Sequence, residues 1–370
     1  MKLLVSCVPY DHGKSGISVY IREVLKELTA QGHELTLLTE PDAVSYFPDY
    51  ETLPLPACTR RPAISMLYHS LVLPFRIQRG RWDACLLLAA NRRAFCRYPL
   101  FTIAVVHDLA QCHVPQKYDR LRTFYLNQLL PRFVRGASRV VAISQSTKAD
   151  LMAFWKVPES RISVCYNGLT LTPDMETHWP ERHGLADKPY LLYVSRIEHP
   201  GKNHLNLIKA FEQLPDELTR SHPLVIAGAD WSGAEVVHAY AEASPKRQHI
   251  VFTGFVTPED LASAYRHCHA YVFPSFFEGF GLSLIEAMHY GIPCGAANTS
   301  SLKEIGEGAA RLFSPSDPED IAAALKELLQ NDALRRQLTE AGFRRAAQFS
   351  WATHAQNLVK LIPSPHAKPE

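Results

Sequence analysis

The sequence lacks any apolar stretch approaching the ~20 residues of a membrane-spanning helix, so any membrane contact is expected to be peripheral. The opening run from Lys2 to Val8 is too short for the core of a signal peptide, and polar residues follow it. Net charge is also nearly missing. The 39 Lys and Arg stand against 37 Asp and Glu, which removes any global electrostatic reason to expect nucleic acid as a partner. Closely spaced cysteines are absent. The eight present (Cys7, Cys58, Cys85, Cys96, Cys112, Cys165, Cys268, Cys294) are scattered, with none at the spacing of a zinc site. Most lie in apolar runs, as reduced core thiols of a cytosolic protein would. No Asp, any residue, Asp pairing of the kind that holds a catalytic metal is present either.

What is present is ordinary globular material, with 46% hydrophobic and 21% charged residues. At 370 residues the chain exceeds the size at which one hydrophobic core stops growing, which favours two α/β domains. KLLVSCV at the start is a short apolar run. Ile17, Tyr20, Ile21, Val24, Leu25 and Leu28 then recur at three- and four-residue steps, with Gly32 as the stop, which predicts a helix. ELTLLT from Glu34 completes a β-α-β unit, and buried-strand candidates follow at Ala84 to Ala90, Phe101 to Val106 and Arg139 to Ser144. Thr170 to Lys188 is rich in Pro and charge and reads as an interdomain connection. Strand candidates PYLLYVS, PLVIAG, HIVFTG and HAYVFPS then alternate with amphipathic stretches. The expectation is two doubly wound parallel sheets, whose ligands bind beyond the carboxyl ends of the strands.

Between Leu55 and Leu100, eight arginines (Arg60, Arg61, Arg76, Arg79, Arg81, Arg92, Arg93, Arg97) face one acid, Asp83, interleaved with Leu, Phe, Trp and Tyr. This is either a solvated face or a surface for anionic lipid headgroups or a lipid-diphosphate acceptor. In SFFEGFGLSLIEAMHYGIPC, Glu278 lies in a strand-to-helix loop and Glu286 falls about a turn and a half into a helix starting near Gly281. The glycines Gly279 and Gly281 leave helix-start amides open, which favours phosphate. The carboxylates repel phosphate and are suited to accept hydrogen bonds from sugar or ribose hydroxyls. Taken alone, the two acids also fit a helix-start acid favoured by the macrodipole and an exposed Glu.

The arrangement of Glu278 and Glu286 within PSFFEGFGLSLIEAMHYGIP resembles the donor-site motif of glycosyltransferase family four and its relatives. YVSRIEHPGKN supplies Arg196 and Lys202 where that family carries an Arg followed by a Lys. Weaker likenesses are YNGL at Tyr166 to Leu169, the segment from Ser300 that makes Glu304 a nucleotide-side candidate, and AISQSTKADL with Ser144, for which an N-cap is the simpler role. VVHDL puts His107 at a strand end, where the family holds a sugar-contacting His, with Asp108 as an acceptor-side candidate. Gly16 in DHGKSG fits the glycine that opens the first helix. The same stretch imitates a phosphate-binding loop through Gly13, Lys14 and Ser15, but Val8 stands where that loop needs a glycine.

The resemblance implies the GT-B architecture, two Rossmann-like domains facing across a cleft. The first would span 1–172, with a last helix in 351–365 crossing back onto it, and the second 186–350. It implies a retaining transferase moving a hexose, with GDP-mannose as the first choice of donor, to a glycan that is lipid-linked in cell-surface polysaccharide or lipopolysaccharide assembly. The place implied is the cytoplasmic face of the membrane. Arg196, Lys202, Glu278 and His107 would carry the chemistry, and Gly16, Gly279, Phe280, Gly281, Leu282, Glu286 and Glu304 would contact the donor. Cations and helix amides would replace a metal, so no metal or other cofactor is expected. The rivals are a nucleotide-sugar epimerase or hydrolase of the same fold, and a binding subunit without turnover.

Overall fold

The computed structural model describes residues 1–13, 15–113, 120–170, 177–186 and 188–363. They divide into two compact units, one taking Met1–Gly168 with the chain from Ser350 on, the other Leu169–Phe349.

The first unit is built on a seven-stranded parallel sheet: β1 Lys2–Ser6, β2 Glu34–Thr39, β3 Glu51–Pro54, β4 Ala84–Leu87, β5 Thr102–Val106, β6 Arg139–Ala142 and β7 Ile162–Val164. Their order is β3-β2-β1-β4-β5-β6-β7, with parallel registers throughout. The first helix, Gly16–Ala30, starts where Ser15 accepts from the Ser18 amide at 3.5 Å. It buries Tyr20, Ile21, Val24, Leu25 and Leu28, the stripe its periodicity predicts, and Gly32 follows it at φ +79°. Ser144 caps helix Gln145–Ala153 by accepting from the Thr147 amide at 3.0 Å. Val8, where a phosphate-binding loop would need glycine, is core. Lys14 lies outside the described residues.

Helix Trp351–Lys360 packs on the first helix. His354 ties the two: Nδ1 donates to the Tyr166 carbonyl at 2.8 Å, and Nε2 accepts from the Tyr20 hydroxyl at 2.6 Å. Burial lowers the pKa of His354 to about 4, which fixes it as the neutral ring those two bonds require.

The second unit is a six-stranded parallel sheet: β8 Leu191–Val194, β9 Leu224–Ala227, β10 Ile250–Gly254, β11 Ala270–Phe273, β12 Cys294–Ala297 and β13 Arg311–Phe313, in the order β10-β9-β8-β11-β12-β13. Each unit thus reverses its strand order once, between β1 and β4 and between β8 and β11, the doubly wound pattern. Residues 177–186, which composition marks as connection, are not free chain. Trp179 is 2% exposed and its ring meets His183 and Tyr190. The Arg182 guanidinium pairs with Asp260 at 2.5 Å. A single Trp among Pro and charge leaves no period to detect.

Four strands escape sequence patterning. β3 and β7 are short edge strands, partly exposed. β13 has three residues, and β12 reads CGAA, fully buried yet without a β-branched or aromatic residue.

Gly228, just after β9, permits the closest backbone approach beneath the site described next. A Cβ there would lie 1.9 Å from the Ser195 carbonyl oxygen. Gly228→Ala is expected to cost roughly 2–4 kcal/mol of stability by forcing β8 and β9 apart. Thermal unfolding checks this, and an unchanged melting temperature would contradict it.

Candidate active site

The loops after β8 and β11 leave the sheet side by side at its switch point. In the first, Arg196 lies over the Trp231 indole, its guanidinium carbon 4.9 Å from the ring centroid, and reaches Glu198 at 3.4 Å. A guanidinium over an indole face gains a cation–π attraction. Lys202 pairs with Glu278 of the second loop, Nζ to Oε1 2.6 Å, with the two side chains only 20% and 16% exposed. At that exposure water screens the pair much less than it screens a surface ion pair.

Both loops are tied down independently of this pair. Asn203 adopts a left-handed conformation, φ 58°, and its Nδ2 donates to the carbonyls of Pro274 at 2.9 Å and Pro315 at 2.7 Å. The Tyr193 hydroxyl donates to the Lys202 carbonyl at 2.8 Å and meets Ser275 at 3.1 Å. The Phe276 amide donates to the Gly201 carbonyl at 3.1 Å. Helix Ser300–Gly306 anchors Glu278 from the other side: the Glu278 amide donates to Ser300 Oγ at 3.0 Å, and the Ser301 hydroxyl donates to the Glu278 carbonyl at 2.8 Å. Glu304 is half-buried on that helix, and its carbonyl accepts from Arg345 at 2.9 Å.

Three residues past Glu278, Gly281 precedes helix Leu282–His289 at φ +110°, a conformation natural to glycine. A Cβ there would meet Leu302 at 2.8 Å. Having no side chain, Gly281 makes no cap hydrogen bond to the helix that begins at Leu282. Gly279 and Phe280 join Glu278 to it, and Phe280 is anchored edge-on against Phe349 at 5.5 Å. Glu286 lies further along the helix and accepts from the Tyr265 hydroxyl at 3.0 Å. Burial raises its pKa to about 7, opposed by that hydrogen bond.

His107, Asp108 and Gly16 belong to the first unit. His107 follows β5 and is 5% exposed. Its Nε2 lies 2.7 Å from the Leu88 carbonyl and its ring stands edge-on to Tyr20 at 4.5 Å. Burial lowers its pKa to about 4, against the pull of the Leu88 bond. The neutral ring therefore donates from Nε2 and keeps Nδ1 as an acceptor. Asp108 accepts from the Ala110 amide at 3.1 Å, which turns the chain into the short helix Ala110–His113. Gly16 is the first residue of its helix. Among the described residues no group of three His, Cys, Asp or Glu side chains is placed to hold a metal ion.

Trp231, Asn203, Tyr193, Ser300 and Ser301 are parts of the site that sequence reading missed. The one local signal was the polar Asn directly after Lys202. The others act across long sequence separations and leave no trace in spacing.

Because the Glu286 carboxyl has a raised folded-state pKa, ionising it opposes folding. This cost is absent below its ordinary pKa of 4.5 and grows as pH rises to about 7. Glu286→Gln keeps an acceptor for Tyr265 and removes the charge. It is expected to be more stable than the wild-type chain at pH 8 by on the order of 2–3 kcal/mol and to lose that advantage near pH 5. Urea unfolding at the two pH values decides it, and parallel pH profiles for the two proteins would refute it.

Residues 14–172 match the family model described as Glycosyltransferase Family 4, and residues 175–345 match that described as Glycosyl transferases group 1. The chain is 26% identical over 384 aligned residues to the O-antigen chain mannosyltransferase B of Escherichia coli, covering 98% of this chain and 100% of that protein. It is 32% identical to the serotype-specific mannosyltransferase WbdA of Escherichia coli over 70% of this chain, but spans only 32% of that longer protein. Among solved structures, sucrose-phosphate synthase from Thermosynechococcus elongatus superposes with a TM-score of 0.77 at 20% identity, covering 98% of each chain, a likeness of fold. A family-four first half, a group-1 second half and the two doubly wound sheets together identify the chain as a GT-B glycosyltransferase of these families.

Proposed function

We propose that this glycosyltransferase moves mannose from GDP-mannose to a lipid-linked glycan, with retention of anomeric configuration and without a metal, in the assembly of a cell-surface polysaccharide. The mannosyltransferase relatives support the sugar and the pathway class. The observation that carries the donor site is the Lys202–Glu278 pair lying beside the glycine-opened helix start, with Arg196 on the same loop. The Lys202 ammonium has three donors, and its pairing with Glu278 leaves capacity for phosphate oxygens. Arg196, Lys202 and the Leu282 helix start hold the diphosphate. Glu278 accepts from sugar hydroxyls and Glu286 from the ribose, with Gly279, Phe280 and Glu304 shaping the nucleotide side. His107, with its neutral ring, contacts the sugar. As the bond from anomeric carbon to phosphate oxygen breaks, negative charge grows on the phosphate, and these fixed cations and dipoles stabilise it. The acceptor hydroxyl attacks from the same face, and the departing phosphate takes its proton.

In this reading the enzyme works at the cytoplasmic face of a membrane. Among the described residues no helix is long and apolar enough to cross one. A peripheral contact is supported by the helical stretch 62–76, on which Leu67, Leu71 and Phe75, four residues apart, are 50%, 46% and 64% exposed. Arg97 stacks on Phe75 and Arg76 on Tyr68, with Arg60 and Arg61 exposed just before the stretch. Apolar side chains among arginines suit anionic headgroups.

Thermal-shift screening of GDP-, UDP-, dTDP- and ADP-sugars in EDTA is expected to single out GDP-mannose, and Lys202→Ala is expected to fold yet turn over roughly 10²- to 10³-fold more slowly. Unchanged turnover would sink the role of Lys202, and donor consumption without any acceptor would favour a hydrolase or epimerase. For the surface, replacing Leu71 and Phe75 with Ser is expected to weaken cosedimentation with phosphatidylglycerol vesicles by about tenfold, from lost apolar burial. Equal recovery of variant and wild type would remove this membrane face.

A further inference from the structure

The first unit holds a cavity of about 160 Å³ that the donor chemistry does not use, between the sheet and the helical stretch 62–76. Leu4 of β1, Leu38 of β2, Leu73 and Trp82 belong both to its wall and to the hydrophobic core. Leu53 and Ile77 are half-buried in the lining, whereas Pro54 and Arg76 are exposed, so the cavity opens to solvent between β3 and the end of the helical stretch. Its lining contains no acid. The Trp82 indole already donates to Thr36 Oγ1 at 3.0 Å. The polar side-chain groups left are the Tyr68 hydroxyl and the Arg76 guanidinium, whose carbon lies 5.7 Å from the Tyr68 ring centroid. Water settles where two to four polar partners converge, and a dry apolar cavity of about 150 Å³ takes benzene instead, so a space of this kind suits about six carbon atoms.

The helical stretch over the cavity is apolar on two faces. Tyr68 and Leu73 line the cavity, while Leu67, Leu71 and Phe75 are exposed. Tyr68–Val72 forms a π turn, closed by the Leu73 amide donating to the Tyr68 carbonyl, a form frequent at functional sites. A surface helix needs one apolar face to pack on its own domain, and a second one calls for an apolar phase outside it. Arg76 at the mouth, and Arg79 three residues on, pair with no acid among the described residues. An apolar slot with uncompensated cations at its lip, continuous with an exposed apolar stripe, complements a molecule with a hydrocarbon chain and an anionic head.

We infer that this cavity takes the last carbons of one acyl chain of an anionic membrane phospholipid, bent back to the headgroup layer where Arg76 meets the phosphates. The inference rests on the membrane face read from Leu67, Leu71 and Phe75 and goes beyond it: the chain is an anchor that the protein draws out of the bilayer, and takes no part in the transfer. Each methylene moved from water into the cavity is worth about fourfold in affinity.

Trp82, in the cavity wall, supplies the readout, because bromine quenches tryptophan emission on contact. The chain is mixed with phosphatidylglycerol vesicles brominated either near the methyl end or near the carboxyl end of the acyl chains, and the difference from Trp82→Phe isolates the Trp82 signal. Methyl-end bromines are expected to quench Trp82 more than carboxyl-end bromines, the reverse of the order for a protein resting on the surface. Since Trp82 is buried and its variant can misfold, the half-buried Ile77 decides. Ile77→Phe narrows the cavity and is expected to abolish the methyl-end quenching while still sedimenting with vesicles. It is also expected to weaken binding of bromine-terminated octanoate, titrated without any bilayer, by roughly tenfold, the worth of about two methylenes. Vesicle binding with stronger carboxyl-end quenching, or with quenching that ignores Ile77→Phe, overturns the inference and leaves the membrane face standing. No vesicle binding at all removes the membrane face itself, and saturable octanoate binding in that case would assign the cavity to a free fatty acid and overturn the phospholipid.

Discussion

The candidate donor site depends on one contact, the pairing of Lys202 with Glu278 at 2.6 Å. It joins the loops that leave β8 and β11, the two strands between which the strand order reverses. Without a partner, either charge would sit mostly shielded from water at considerable cost. With the pair made, the loops are held in one arrangement before any ligand arrives. Tyr193, Asn203, Ser300 and Ser301 repeat the tie through neutral hydrogen bonds, so the charges are fixed by a frame that does not itself titrate near neutrality. Preorganisation of this kind is what electrostatic stabilisation of a leaving group needs, because fixed dipoles and charges need not reorient during the reaction.

Burial tunes the polar groups of both units in the same direction, toward neutrality. Glu286 is raised to about 7, and His107 and His354 are lowered to about 4. A neutral imidazole or a carboxyl on the edge of ionisation is a hydrogen-bonding group more than a charge, which suits recognition of hydroxyl-rich ligands. Arg196 instead lies over the Trp231 ring and Lys202 pairs with Glu278.

Much of the architecture was legible in the sequence. The helix Gly16–Ala30 shows as a three-and-four-residue apolar stripe, and β1, β4, β5 and β6 as short buried runs, because those elements bury one face or both against the sheet layers. Strand β12, CGAA, was not, since its burial rests on neighbours such as Leu328 and Phe313 packing over Gly295 and not on its own side chains. The stretch around Trp179 read as linker because a lone anchor has no period.

For the site, the sequence by itself determined the local chemistry: which loop holds Arg196 and Lys202, which holds Glu278, and that Gly281 opens a helix with nothing to cap it. Within each loop these features lie only a few residues apart, where spacing along the chain is spacing in the structure. Tertiary structure alone decided that Lys202 meets Glu278, 76 residues away, that Trp231 supports Arg196, and that Asn203 reaches Pro315 across 112 residues. It also decided that Asp108 Oδ1 accepts from the Ala110 amide in a turn, and that Arg92 and Arg93 are half-buried while the other six arginines of the segment are exposed. Pairing, burial and desolvation are properties of what the folded chain brings together, and local sequence carries no record of its distant neighbours.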